Sequence, residues 1–227
     1  GAGIGCSNGA NPFLRNVLIT GNTSSESGGA IYIGNNSNPI LENITITNNS
    51  CSYGAIHLVA SNANLSNVIV WDNPSPYGIY LWASSEIEIQ YSDINNIEFA
   101  GDSGNEEWDI VGNISVDPLF NDSVNNDFTL YEGSPCIDAG ISDLNGDGYE
   151  DITDYCGTAP DMGAYEYCED EIELGDINGD GILNVLDLVM IANMVLADDF
   201  NTIADMNEDG TLNVLDLVIL VNIILGN

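Results

Sequence analysis

Lysine is absent from the chain, and Arg15 is its one arginine, set against 36 acidic residues and a formal net charge of −35. Phosphate binding needs Lys and Arg to displace counterions, so nucleic acid is excluded as a partner. Docking on anionic lipid is disfavoured for the same reason. Cations are the favoured partners, and the charge keeps the chain in solution. Long apolar runs are also missing: each is interrupted by Asn or Asp, so no membrane span is read. Histidine occurs once, at His57. The five cysteines, Cys6, Cys51, Cys136, Cys156 and Cys168, form no C-x-x-C pair, which argues against zinc. Three of them fall within 136–168, enough for one disulfide, and the odd total leaves at least one thiol free or paired between chains.

What the chain does have is order. Apolar residues make up 44% of it, too many for a disordered acidic tail. Four segments repeat: Gly3-Ile4-Gly5-Cys6, Ala30-Ile31-Tyr32-Ile33, Ala55-Ile56-His57-Leu58 and Gly78-Ile79-Tyr80-Leu81, at spacings of 27, 25 and 23 residues. A second block recurs at Asn16-Val17-Leu18-Ile19, Asn43-Ile44-Thr45-Ile46 and Asn67-Val68-Ile69-Val70, and a turn at Asn22, Asn49 and Asn73. Each block alternates apolar and polar residues and is rich in β-branched side chains, which reads as short strands. Asn and Gly mark the turns because they tolerate left-handed backbone. Short strands at this period predict a right-handed parallel β-helix over residues 1–114. Leu14, Leu41 and Leu65 then stack inside, as do Ile31, Ile56 and Ile79, and Asn16, Asn43 and Asn67 form an amide ladder. A leucine-rich-repeat horseshoe competes, but needs a helical leg that the Asn/Ser/Thr/Gly connectors do not supply. The same register turns Tyr32, His57, Tyr80 and Trp82 outward as an aromatic stripe, with Trp71 on another face. The stripe is either partly covered by a loop or the C-terminal module, or a contact surface for protein or sugar rings. The sequence opens inside a repeat, so it reads as a processed or partial chain.

From residue 115 the pattern changes to Val116-Asp117-Pro118-Leu119-Phe120, Asp127-Phe128-Thr129-Leu130, Gly133-Ser134-Pro135-Cys136-Ile137-Asp138-Ala139-Gly140 and Asp161-Met162-Gly163-Ala164-Tyr165-Glu166-Tyr167. This closing run resembles the C-terminal end of secreted bacterial right-handed β-helix proteins. The resemblance implies a fold, with residues 115–168 as its cap, and a secreted or cell-surface bacterial protein, but no particular activity. Within the cap, counting from Asp143, oxygen ligands fall at Asp143, Asn145, Asp147, the Tyr149 carbonyl, Asp151 and Asp154, with Gly148 at position 6. That is EF-hand-like spacing, and the competing reading is an Asn/Asp-rich turn.

An acidic linker, 169–174, separates the cap from two near-copies in 175–227. Calcium takes six to eight hard oxygen ligands, and the EF-hand loop supplies them at fixed intervals. The first loop offers Asp176, Asn178, Asp180, the Ile182 carbonyl, Asn184 and Asp187. The second offers Asp205, Asn207, Asp209, the Thr211 carbonyl, Asn213 and Asp216. Gly181 and Gly210 make the sharp turns, and Asp in place of the usual Glu at position 12 leaves magnesium as a competitor. Apolar helices follow at about 186–196 and 215–225. The pair resembles a type I dockerin, which implies two calcium ions and a cohesin-like partner. The partner-reading positions of that family fall here on Val185, Leu186, Val214 and Leu215, apolar where polar pairs are common. The second helix is apolar on nearly every face, so it is expected to pack on the β-helix or on another chain.

The fold class is therefore mostly β: a right-handed parallel β-helix with a C-terminal cap, then a small all-α dockerin-like double EF-hand module. Right-handed β-helices include polysaccharide lyases, which need a basic proton abstractor; here only Arg15 and His57 are available, and the register sets them on different sheets. Glu42, Glu86 and Glu88 read as solvated faces, and no catalytic residue is assigned. Three functions remain open. The leading one is an extracellular calcium-stabilised structural protein that assembles with copies of itself into a filament. The second is dockerin-type anchoring of a β-helix cargo to a cohesin scaffold. The third is binding or degradation of polysaccharide through the Tyr/Trp stripe.

Overall fold

The computed structural model describes residues 3–26, 28–100, 112–168 and 173–226. It divides into two compact units, Gly1–Cys168 and Glu169–Asn227. Most of the acidic linker, residues 169–172, lies outside the described residues.

The first unit is a parallel β-solenoid of about four turns. One sheet runs through β1 (Ile4–Cys6), β3 (Ile31–Gly34), β5 (Gly54–Val59), β7 (Tyr77–Trp82) and β10 (Ile97–Phe99). The other runs through β2 (Phe13–Thr20), β4 (Ile40–Thr47), β6 (Asn62–Val70) and β8 (Glu86–Gln90), with β9 (Asp93–Ile94) also paired to β6. The register links Ile4, Ile31, Ile56 and Ile79 on the first sheet and Leu14, Leu41, Leu65 and Ile89 on the second. Ile31, Ile33, Ile56, Leu58, Ile79 and Leu81 are fully buried between the sheets. Each such side chain contributes roughly 1.5–3 kcal/mol of burial free energy.

Asn16, Asn43 and Asn67 sit in the middle of β2, β4 and β6, not at their ends. All three have left-handed backbone, with φ of 57°, 51° and 55°. One left-handed residue resets the alternation, so the inward residues of β4 are Leu41, then Ile44 and Ile46. The expected Asn16–Asn43–Asn67 ladder is represented by a bond from Asn67 Nδ2 to Asn43 Oδ1. The full amide ladder lies at the turn: Asn22 Nδ2 donates to Asn49 Oδ1, and Asn49 Nδ2 to Asn73 Oδ1.

The segment after residue 115 runs down the flank of the second sheet. It carries the hairpin β11 (Phe120–Asp122) and β12 (Asp127–Leu130). Ile69 points away from the solenoid interior, yet is fully buried against Leu130, Cys136 and Met162. Ala164 N–H donates to Thr45 Oγ1, and the Asn67 amide bonds both backbone groups of Ile141. Gly163 has φ +103°, and a Cβ there would come within 2.8 Å of both Thr45 and Ile69. Beneath this flank Asp93 is fully buried, accepting from Val116 N–H and from the Cys136 thiol at 3.4 Å. Burial pushes its carboxyl up to about 6 and raises the Cys136 thiol above its ordinary range. Cys156 and Cys168 form a disulfide; Cys6, Cys51 and Cys136 are free.

The second unit has two helices, α1 (Val185–Ala197) and α2 (Val214–Ile224). Ile191, Ala204 and Leu220 form its fully buried centre, with Ile177, Leu183, Met194 and Leu212 packed around them. The all-apolar α2 does not bury all of itself: Val214, Leu215 and Val218 are more than half exposed.

Candidate metal centre and docking face

The loop from Asp176 is built by side chains that bond its own backbone. Asp176 accepts from Asp180 and Gly181 N–H, Asn178 from Asp180 N–H, and Asp180 from Ile182 N–H. The loop from Asp205 repeats all four bonds, through Asp209, Gly210 and Thr211 N–H. Position 6 is glycine in both, at φ +75° and +78°, the left-handed conformation that turns the chain back over the first ligand. Asn184 and Asn213, at position 9, are the N-caps of α1 and α2, and Asp187 and Asp216 complete a capping box from the third helical position. Loop closure and helix initiation are thus made by the same two residues. The capping bonds occupy the Asn oxygens, which accept from Leu186 and Leu215 N–H.

Charge tests whether these residues suit calcium. Asp176, Asp187, Asp205 and Asp216 are buried, and no Lys, Arg or His follows His57 anywhere in the sequence. Buried carboxylates are costly unless paired, and this unit contains no side chain that can pair them. Asp216 makes the deficit visible: Oδ2 accepts from Asn213 N–H, while the buried Oδ1 has no partner. Among the described residues no three His, Cys, Asp or Glu side chains close up as a metal cage. The donor set here mixes carboxylate, amide and carbonyl oxygen, which suits a hard cation such as calcium.

The loop in the flanking segment has the same first half. Asp143 accepts from Asp147 and Gly148 N–H, Asn145 from Asp147 N–H, and Asp147 from Tyr149 N–H. In its second half Asp151 accepts from Leu144 N–H, as Asp187 accepts from Ile177 N–H in the first loop. Asp151 and Asp154 both line a neighbouring cleft with Arg15 and Glu166.

Val185, Leu186, Val214 and Leu215 are all more than half exposed. The structure adds Val189 and Val218, one helical turn on and equally exposed. Their signal in the sequence was the i, i+4 relation to Val185 and Val214. On the solenoid, Tyr32, His57 and Tyr80 are in register as expected. His57 and Tyr80 are nonetheless buried, because Tyr53 and Tyr77 lie against them with ring centroids 5.3–5.6 Å apart. Trp82 remains half exposed, and Trp71 packs under the flanking segment. Arg15 lies on β2 and pairs with Glu42 on β4, while His57 lies on β5 of the other sheet. Glu42 is buried by that pairing and is not a solvated carboxylate.

A parallel solenoid joined to a module of paired metal-type loops and helices is what the geometry defines. The family model of the right-handed β-helix region matches residues 1–117, just over half of the sequence, and the chain belongs to that family. The dockerin type I domain model matches residues 174–225, covering both loops and both helices. Dockerin type I domains bind calcium and pair with cohesin domains. No curated protein and no solved structure matches the chain.

Proposed function

We propose that the chain is a β-helix cargo carried by a calcium-ordered docking module. The observation that carries this is the coupling of loop to helix at Asp187 and Asp216. An ion held by these carboxylates fixes the N-termini of α1 and α2, and with them the apolar faces at Val185, Leu186 and Val189 and at Val214, Leu215 and Val218. Two calcium ions are assigned to the loops at 176–187 and 205–216, and a third to 143–154. The partner is a cohesin-type domain whose receiving surface is apolar, to match side chains that offer no charge. This reading places the protein outside the cell or on its surface, where free calcium is high.

Filament assembly draws on the same exposed faces, with another copy of the chain as occupant. Sedimentation and calorimetric titration of the full chain against a panel of cohesin domains, in calcium and in chelator, separate the two. Docking requires calcium-dependent binding that Leu186→Asp/Leu215→Asp weakens at least about 100-fold, since charges placed in a desolvated apolar centre cost several kcal/mol. Calcium-dependent self-association abolished by the same pair would establish the filament reading. A chain that stays monomeric and binds no cohesin would refute both.

A further inference from the structure

We infer that the Asn178–Gly179 peptide, in the first loop of the second unit, is a site of spontaneous deamidation, with water as its co-reactant. The reaction involves the chain's own amides and needs neither partner nor ion, so the inference stands apart from the docking reading.

Asparagine followed by glycine is the pair most prone to this reaction, because no Cβ shields the attacking nitrogen. The sequence has three such pairs, Asn8–Gly9, Asn145–Gly146 and Asn178–Gly179. All three are exposed. The state of the glycine nitrogen separates them. Gly9 N–H donates to the Asn35 carbonyl at 3.0 Å, and Gly146 N–H to Asp143 Oδ1 at 2.8 Å. Each must break that bond before it can attack. No described residue accepts from Gly179 N–H. Its chain neighbours aside, nothing lies within 4 Å of where a Cβ on Gly179 would stand, so water and hydroxide reach it. The side chain is also held in place. Asn178 Oδ1 accepts from Asp180 N–H and Nδ2 donates to Asp180 Oδ2, both at 2.9 Å, which folds the amide forward across the peptide it would join. The second loop supplies the contrast. Asn207 makes the same two bonds with Asp209, but Glu208 follows it, with a Cβ that crowds the nitrogen and an N–H that donates to the Asp205 carbonyl.

Hydroxide removes the Gly179 amide proton, and the nitrogen attacks Asn178 Cγ. The Cγ–Nδ2 bond breaks, ammonia leaves, and a cyclic succinimide remains. Water opens the ring at either carbonyl, giving aspartate or isoaspartate. Both products add a negative charge. Isoaspartate also routes the main chain through Cβ, which lengthens the loop between Asp176 and Asp180 and spoils its ligand spacing. The second loop is untouched, so the two near-copies age differently.

The test is incubation of the full chain in chelator at mildly alkaline pH, then digestion at aromatic and acidic residues and peptide mass spectrometry, with methyltransferase labelling of isoaspartate. Asn178 is expected to convert at least about tenfold faster than Asn207, and faster than Asn8 and Asn145. Gly179→Glu, matching the left-handed Glu208 of the second loop, is expected to slow Asn178 to the rate at Asn207. Conversion at Asn8 or Asn145 that equals or outpaces Asn178 would overturn the inference. So would no conversion at Asn178, or a Gly179→Glu variant that converts as fast as the parent. The comparison among sites of the parent chain decides the matter if the variant misfolds.

Discussion

Asp216→Asn distinguishes a metal-holding carboxylate from a merely structural one, because the two roles predict opposite signs. Asp216 is fully buried at the third position of α2, with one oxygen bonded to Asn213 N–H and the other unpartnered. In calcium the ion compensates its charge. After chelation the charge is buried with no cationic side chain in the unit to offset it. The amide has the same shape and keeps the capping bond, but carries no charge. In chelator, Asp216→Asn is therefore more stable than the wild type, by roughly 1 kcal/mol or more, the excess cost of leaving a charged rather than a neutral group buried without a partner. In calcium the order reverses. A site lost at free calcium about 100 times its dissociation constant removes about 2.7 kcal/mol. For a unit this small that lowers the melting temperature by roughly 10–20 °C. Far-UV circular dichroism of the full chain follows it, since α1 and α2 are the α-helices among the described residues. A variant that is less stable than the wild type in both conditions would refute the reasoning.

Two further predictions concern the first unit. Calcium titration of the full chain yields three ions, and Asp143→Ala reduces the number to two while leaving the helical melting unchanged; two ions in the parent would limit calcium to the C-terminal loops. Asp93 supplies a pH dependence. Its carboxyl is raised from 3.8 to about 6 in the fold, so its contribution is fully present below the unfolded value and is lost as pH rises through 6. That shift is worth roughly 3 kcal/mol at most. Glu166, pushed up to about 7 by burial, acts in the same direction. Urea unfolding of the β-helix unit at pH 4.5 and pH 8 should show higher stability at the lower pH, and Asp93→Asn should reduce the difference. An undiminished difference would assign it to other carboxylates.

The solenoid was legible because its code is periodic: the aligned isoleucines and leucines are the paired residues of the sheets. The calcium-type loops were legible because each is local, with every ligand within twelve residues of the first. What escaped depended on contacts between distant segments. Tyr53 lies in a connector, and nothing in its own neighbourhood shows that it covers His57. Glu42 looked solvated until the lone arginine stood beside it. The mid-strand asparagines were placed at a corner, since sequence alone does not separate a left-handed bend inside a strand from a turn at its end, and their expected amide ladder is represented by the Asn67–Asn43 bond.

The solenoid keeps its pitch on one side and lets it vary on the other. From the first sheet to the second, the paths Ile4–Leu14, Ile31–Leu41, Ile56–Leu65 and Ile79–Ile89 are 10, 10, 9 and 10 residues long. The return paths Leu14–Ile31, Leu41–Ile56, Leu65–Ile79 and Ile89–Ile97 are 17, 15, 14 and 8. Insertions and deletions are thus absorbed in the return connectors, where Glu26, Ser52 and Tyr53 line a groove with His57, Tyr80 and Trp82, without disturbing the pairing of either sheet. The rim of that groove is the part of the scaffold that can be lengthened, shortened or exchanged at little structural cost, so one core can carry many different rims.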